Sequence, residues 1–283
     1  MVSKINMLSI AMGLLLLCCG TDGQSTEDPC EGNQQAEMDT AHEADKEAKI
    51  LYDELVEIAE DASETKSTII QANFVNTSNF DINTDVMPFG DDCVGMLGRP
   101  TTTGETVPLT VESILIDSKS SGEYAIEEDE QGRYFIGLAD DFFSEAGGER
   151  ITATITSQNG DENFPPFAES ILAPAPLVNV TAAVTSSGSL KTEWPEGDST
   201  YIEIVLRTID ANDEAGENRI RCFYLKDDGC IDIPAAAIDW LNMEGAERLK
   251  VRMERHTLKI ANPAENAIVE IDAMRSIEFV IEV

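Results

Sequence analysis

A short run of oxygen-bearing side chains is the clearest candidate for metal chemistry in this sequence. Asp210, Asn212, Asp213 and Glu214 offer hard oxygen ligands at close spacing, as the opening of a calcium loop does. The next residue is Ala215 where such a loop needs glycine, and no glutamate follows at the loop's usual end. Two interpretations therefore stay open, a calcium site and an ordinary polar hairpin loop.

Signatures of common enzymes are absent from the sequence. It has no Gly-x-Ser-x-Gly, His-Glu-x-x-His, glycine-rich phosphate loop or Cys-x-x-Cys. One of its two histidines, His256, ends a stretch in which apolar and charged residues alternate, and we interpret it as a surface residue on a strand. Paired carboxylates of a glycan hydrolase remain an alternative in so acidic a chain. We expect no enzymatic activity.

Cysteine usage is typical of an exported protein. Two of the six cysteines are adjacent near the N-terminus, and the other four suffice for two disulfides with three connectivities. Cys222 and Cys230 flank a predicted hairpin turn, so we favour pairing them with each other. Cys30 would then pair with Cys93.

The N-terminal segment has the pattern of an export signal. Lys4 is its only charge before Asp22, and the apolar stretch from Ile5 to Leu17 is shorter than the roughly 20 residues that a membrane-spanning helix needs. The stretch ends in cysteines, and Leu14–Gly20 resembles the lipobox of bacterial lipoproteins. That resemblance implies a signal peptide over residues 1–18 and a lipid on Cys19.

The resemblance also implies a location. Gly20 follows the lipid site where lipoproteins retained in the inner membrane usually have aspartate. We therefore expect an outer-membrane lipoprotein whose folded part is periplasmic or surface-exposed.

The charge balance excludes one class of partner. The chain has 19 basic and 54 acidic residues, for a net charge of −35. Such a surface repels phosphate backbones, so nucleic acid is not an expected partner. The acidity fits either a solvated surface adapted to salt or the binding of divalent cations.

Periodicity divides the mature chain into three parts. Residues 19–66 are a lipidated tether followed by a predicted amphipathic helix, because Leu51, Leu55 and Ile58 recur at helical spacing. In residues 67–176 and 177–283, apolar and polar residues alternate with a period of two, which predicts two antiparallel β-sandwich domains. Trp194 and Trp240 are interpreted as core residues.

The C-terminal half resembles uncharacterised lipoproteins of myxobacteria over about residues 145–283. The likeness is carried by Trp194-Pro-x-Gly197, by Cys222-Phe223 and by the segment Ile233–Leu241. It implies immunoglobulin-like β architecture on a lipid anchor and no known activity.

These observations favour a binding, adhesion or envelope-structural role, with an unidentified protein or glycan as ligand. No cofactor is expected unless the calcium interpretation holds. A calcium-dependent binding module and a carboxylate-based glycan hydrolase are the alternatives.

Overall fold

The computed structural model describes residues 44–282, except 60, 77–80, 84–85, 90–91, 99–100, 104–106, 130–132, 139–141, 144–146, 159–161, 211–214 and 242–247. The strands of the first half are β1 (Lys46–Ile58), β2 (Glu64–Asn76), β3 (Asp81–Asn83), β4 (Val86–Phe89), β5 (Cys93–Met96), β6 (Thr101–Thr103), β7 (Val107–Pro108), β8 (Ser113–Ser118), β9 (Gly122–Ile126), β10 (Tyr134–Leu138), β11 (Arg150–Thr156) and β12 (Phe167–Leu172). The elements of the second half are β13 (Thr181–Val184), β14 (Leu190–Glu193), β15 (Tyr201–Ile209), β16 (Ala215–Tyr224), β17 (Cys230–Ile233), α1 (Ala235–Leu241), β18 (Arg248–Ala264) and β19 (Ala267–Glu282). The prediction of a mainly β protein is confirmed.

Ten strands form one central sheet. Its order is β10-β2-β1-β19-β18-β15-β16-β5-β4, with β7 beside β2. Strands β1 and β19 run parallel, whereas the other pairs in this sheet are antiparallel. The long strands β18 and β19 lie at its centre and therefore connect its two halves.

Two smaller sheets cover one side of the central sheet. The sheet β12-β11-β8-β9 packs on β1, β2 and the first part of β19 around one hydrophobic core. The sheet β13-β14-β17, together with α1, packs on β15, β16 and β18 around a second core. Trp194 is buried in the second core, and Trp240 packs against it. Residues beyond 177 thus contribute to both cores, since β19 belongs to each.

The amphipathic helix predicted before the β regions is wrong over its described part. Residues 46–58 form β1, which pairs with β2 on one side and with β19 on the other. Ala48, Ile50 and Tyr52 are buried at strand spacing in the first core. Residues such as Ala, Glu, Lys and Leu favour helix in isolation, but pairing along both edges and burial outweigh that preference here.

A buried arginine lies where the core-facing side of β18 passes from one core to the other. The guanidinium of Arg255 donates to the carbonyls of Ala175, Pro176 and Pro195 and to the carboxylate of Asp227. Trp194 Nε1 donates to the same carboxylate at 2.7 Å. The Trp194-Pro-x-Gly197 motif is therefore part of the shell around Arg255.

Gly197 is required in that shell because the neighbouring side chains leave no room for a β-carbon. A β-carbon at this position would lie 2.5 Å from Asp227 Oδ2 and 2.7 Å from Arg255 Cζ. Both neighbours are held by their ion pair, so neither can move away cheaply.

Candidate functional site

The other side of the central sheet is rich in charged residues over β15, β16 and β18. Side chains alternate along a strand, so Ile202, Ile204 and Leu206 point into the second core while the residues between them point outward. The same alternation applies to β16, β18 and β19. We call this side the charged face.

Three cations lie directly opposite one another on neighbouring strands of the charged face. In the strand register, Arg219 of β16 is opposite Arg207 of β15, which is opposite Lys250 of β18. We call these three residues the basic row. Like charges directly opposite each other on a sheet destabilise it. Such a row is costly unless a counter-charge is present.

The basic row is only partly neutralised. Lys250 Nζ lies 2.5 Å from Glu278 Oε1. Within the described residues, Arg207 and Arg219 form no ion pair, and the Nε of Arg219 is buried without a hydrogen-bond partner. Burial, followed by the nearby charges of Arg221 and Arg207, lowers the pKa of Arg219. Arg219 stays charged even so, because a guanidinium is not deprotonated in proteins.

The basic row borders a groove of about 350 Å³. Its lining consists of Glu203, Val205, Arg207, Ala215, Arg219, Arg221, Lys250, Arg252, Glu254 and Glu278. Five of the chain's 19 basic residues are thus gathered in one groove of a strongly acidic protein.

Two buried glutamates form the next feature of the groove. Glu203 and Glu254 are directly opposite each other on β15 and β18. Arg221 donates to both oxygens of Glu203, at 2.5 and 2.8 Å, and Arg252 Nε lies 2.5 Å from Glu254 Oε1. The guanidinium groups therefore neutralise a repulsion that would otherwise be severe in a buried setting.

His256 lies beside the glutamates and is buried, with 4% of its surface exposed. Its ring stacks on Tyr201 with a centroid distance of 4.2 Å. Nδ1 contacts Asp272 at 3.0 and 3.1 Å, and Nε2 is 3.3 Å from Glu254 Oε2. The interpretation of His256 as a surface residue is wrong, because His256 lies within β18 between β15 and β19, and the ring of Tyr201 covers its imidazole.

The carboxylates set the protonation of His256. Burial by itself lowers its pKa, but hydrogen bonds to Asp272 and Glu254 outweigh burial and raise the pKa to about 9. The imidazole is therefore a cation at neutral pH in the arrangement described. Burial raises the pKa of Glu254, but His256 and Arg252 more than offset this and lower it. The acid of a glycosidase needs a raised pKa, which Glu254 does not have.

The disulfides differ from the predicted pairing. Cys93 of β5 and Cys222 of β16 are opposite each other in the central sheet and form a disulfide. Cys230 is also disulfide-bonded. The predicted Cys222–Cys230 and Cys30–Cys93 pairs are therefore both wrong. The reason is that β16 pairs with β15 and β5, whereas β17 pairs with β14 in another sheet. Cys30 and Cys19 lie outside the described residues.

The calcium prediction stays untested. Asp210 is exposed at the end of β15, where its carbonyl accepts a hydrogen bond from Arg248 at 2.8 Å. Asn212, Asp213 and Glu214 lie outside the described residues. Charged residues alternate with apolar ones in the sequence of β18. The groove, however, depends on β15 and β16 lying beside β18, which periodicity does not specify.

The fold and the groove define a mainly β protein with a charged groove on its central sheet. No protein-family model matches the chain, and no curated protein matches it. It is similar to the FN1–FN3 domains of chicken CNTN1, at 12% identity, 74% coverage of this chain, 75% of that chain and a TM-score of 0.20. A likeness at that level identifies neither fold family nor function. No helix in the described part of the chain is both long and apolar enough to cross a membrane.

Proposed function

We propose that this chain is a lipid-anchored binding protein of the bacterial envelope whose groove binds an oxyanion group of its ligand. The observation that carries the proposal is the basic row, in which Arg207 and Arg219 face each other with no ion pair among the described residues. Guanidinium groups bind carboxylate, sulfate and phosphate through paired hydrogen bonds. An oxyanion between the two arginines would remove their repulsion.

The net charge restricts the kind of ligand. A long polyanion would meet repulsion everywhere outside the groove, because the chain as a whole carries −35. A glycan or protein that presents single acidic groups avoids most of this cost. The cavity of about 350 Å³ is of the size that holds a small group of a larger molecule.

The anchor belongs to the proposal as well. The lipobox-like stretch supports attachment through Cys19, and the polar residues that follow would let the folded part reach away from the outer membrane. Two layers of mostly antiparallel strands around each core support an immunoglobulin-like description of each half.

Ligand titration tests the groove. Inorganic phosphate, sulfate and glucuronate are titrated into the protein in the presence of EDTA, with binding followed by calorimetry. We expect at least one of the three to bind, and the double variant Arg207→Gln/Arg219→Gln to weaken it about tenfold or more. The control Arg133→Gln/Arg150→Gln makes the same change of charge outside the groove and should bind as the wild type does. Absence of binding at millimolar concentration, or equal loss in both double variants, would overturn the proposal.

Fractionation tests the anchor separately. Wild-type protein should remain with outer membranes, and Cys19→Ala should be released into a soluble fraction. Retention of the variant in the membrane would contradict anchoring through Cys19. Protease treatment of intact cells then distinguishes a surface-exposed folded part, which is cleaved, from a periplasmic one.

A further inference from the structure

A histidine lies beside two glutamates that line the groove. One ligand atom from each of Glu203, Glu254 and His256 lies within 4.8 Å of the others. All three side chains are withdrawn from water, since their residues are 3%, 9% and 4% exposed. They come from the adjacent strands β15 and β18, so the sheet itself fixes their relative positions.

We propose that Glu203, Glu254 and His256 bind one divalent transition-metal ion, with Zn²⁺ as the best match. His256 Nε2 and Glu254 Oε2 are 3.3 Å apart. Bonds of about 2.0–2.1 Å in tetrahedral geometry place neighbouring ligand atoms about 3.4 Å apart, so this pair already has the separation that Zn²⁺ requires. A strong hydrogen bond between two charged groups is shorter, at about 2.7–2.9 Å.

The groups behind the ligands match the surroundings of a metal site. Histidine ligands of metals generally donate their other ring N–H to a carboxylate, which fixes the ring. Asp272 takes this place at Nδ1 of His256, and Tyr201 stacks on the ring. Arg221 and Arg252 hold the two glutamates but leave lone pairs on their oxygens for a metal.

The local charge also favours a dication. With a neutral imidazole, four carboxylates face two guanidinium groups, which leaves a charge of −2 in a mostly buried cluster. The groups counted are Asp53, Glu203, Glu254, Asp272, Arg221 and Arg252. A divalent ion cancels this charge, whereas a proton on His256 cancels half of it.

The nature of the ligand set selects the ion. Imidazole nitrogen suits zinc and other first-row metals, whereas calcium prefers oxygen ligands in sets of six to eight. Glu203 and Glu254 also line the groove, so an ion can reach them from solvent and can keep a further coordination position open to the groove. This site is separate from the proposed oxyanion site on the basic row.

Metal titration tests the inference. Full-length protein is freed of metal with a chelator, dialysed, and titrated with Zn²⁺ by calorimetry and with Co²⁺ by visible absorption. We expect one ion per chain and the intense d–d bands of tetrahedral Co²⁺. His256→Gln and Glu254→Gln should weaken Zn²⁺ binding roughly 100-fold and abolish those bands. The controls are His42→Gln, which alters the other histidine, and Glu278→Gln, which alters a groove glutamate outside the cluster.

Each outcome of the titration is decisive. Failure of the wild type to bind one Zn²⁺, or binding by His256→Gln as tight as wild type, would overturn the site. If a variant does not fold, as circular dichroism would show, the Co²⁺ spectrum of the wild type decides, since octahedral all-oxygen coordination contradicts the proposed ligands. The phosphate, sulfate and glucuronate titrations are run in EDTA and so do not depend on a bound metal. Failure of the metal site therefore leaves the oxyanion proposal standing, and failure of the oxyanion site leaves the metal proposal standing.

Discussion

Arg255 and Asp227 form an ion pair that is almost completely withdrawn from water. Arg255 Nε lies 2.7 Å from Asp227 Oδ2, and the two side chains are 1% and 2% exposed. Removing one partner of such a pair leaves a buried charge without compensation. Because Arg255 also binds the carbonyls of Ala175 and Pro176, it ties the segment between the two halves of the chain to the central sheet.

Arg255→Ala should therefore lower the free energy of unfolding by about 3–5 kcal/mol. Arg133→Ala removes an exposed ion pair with Asp129 and should lower the free energy of unfolding by about 1 kcal/mol or less. Chemical denaturation of both variants measures the difference. Equal stability of the two would mean that Arg255 does not hold the halves together.

Gly197→Ala should destabilise the protein by about 1–3 kcal/mol, because its β-carbon would overlap Asp227 and Arg255. Gly137 provides the matched control, since a β-carbon there meets nothing within 4 Å. Thermal unfolding of Gly197→Ala and Gly137→Ala compares them. A wild-type melting temperature for Gly197→Ala would contradict the close packing around the ion pair.

Peptide mapping without reduction should recover a cross-link between Cys93 and Cys222. The bond closes a sequence separation of 129 residues, so Cys93→Ser/Cys222→Ser should lose roughly 2–5 kcal/mol of stability. Cys230 is disulfide-bonded as well, so the same map should recover it in a cross-linked peptide. A Cys222–Cys230 cross-link would contradict the structure.

The stability of the metal-free protein should depend on pH through His256. Its pKa of about 9 in the folded protein exceeds the unfolded value of about 6.5. The stabilising contribution is thus complete below about pH 6.5 and is lost as the pH rises through about 9. The difference in unfolding free energy between wild type and His256→Gln, measured in EDTA, should shrink by about 3 kcal/mol between pH 6 and pH 9.5. A constant difference would contradict the raised pKa.

Arg207→Gln should raise the stability of the ligand-free protein by about 0.3–1 kcal/mol, because it interrupts the basic row. The gain should diminish in 1 M salt, where screening shortens the range of repulsion to about 3 Å. Urea denaturation at low and high salt measures it. A loss of stability at low salt would show that Arg207 has a stabilising partner, and would remove the main argument for an oxyanion in the groove.

Much of the β structure was predictable from residue order alone. The period of two over residues 67–176 and 177–283 predicted β structure, since residues that face a core recur every second position in a strand. Ile151–Thr156 and Tyr201–Leu206 show that alternation and lie in β11 and β15. The signal and lipid on Cys19 remain predictions from the sequence.

Tertiary structure decided what these strands do together. The segment Lys46–Ile58 has strong helix formers, yet it becomes a strand because β2 and β19 pair with both its edges. Cys222 pairs with Cys93 rather than with its near neighbour in sequence because sheet order brings β5 beside β16. His256 and the basic row have the same origin: periodicity places a residue on one face of its strand, but only register between strands determines which charges meet.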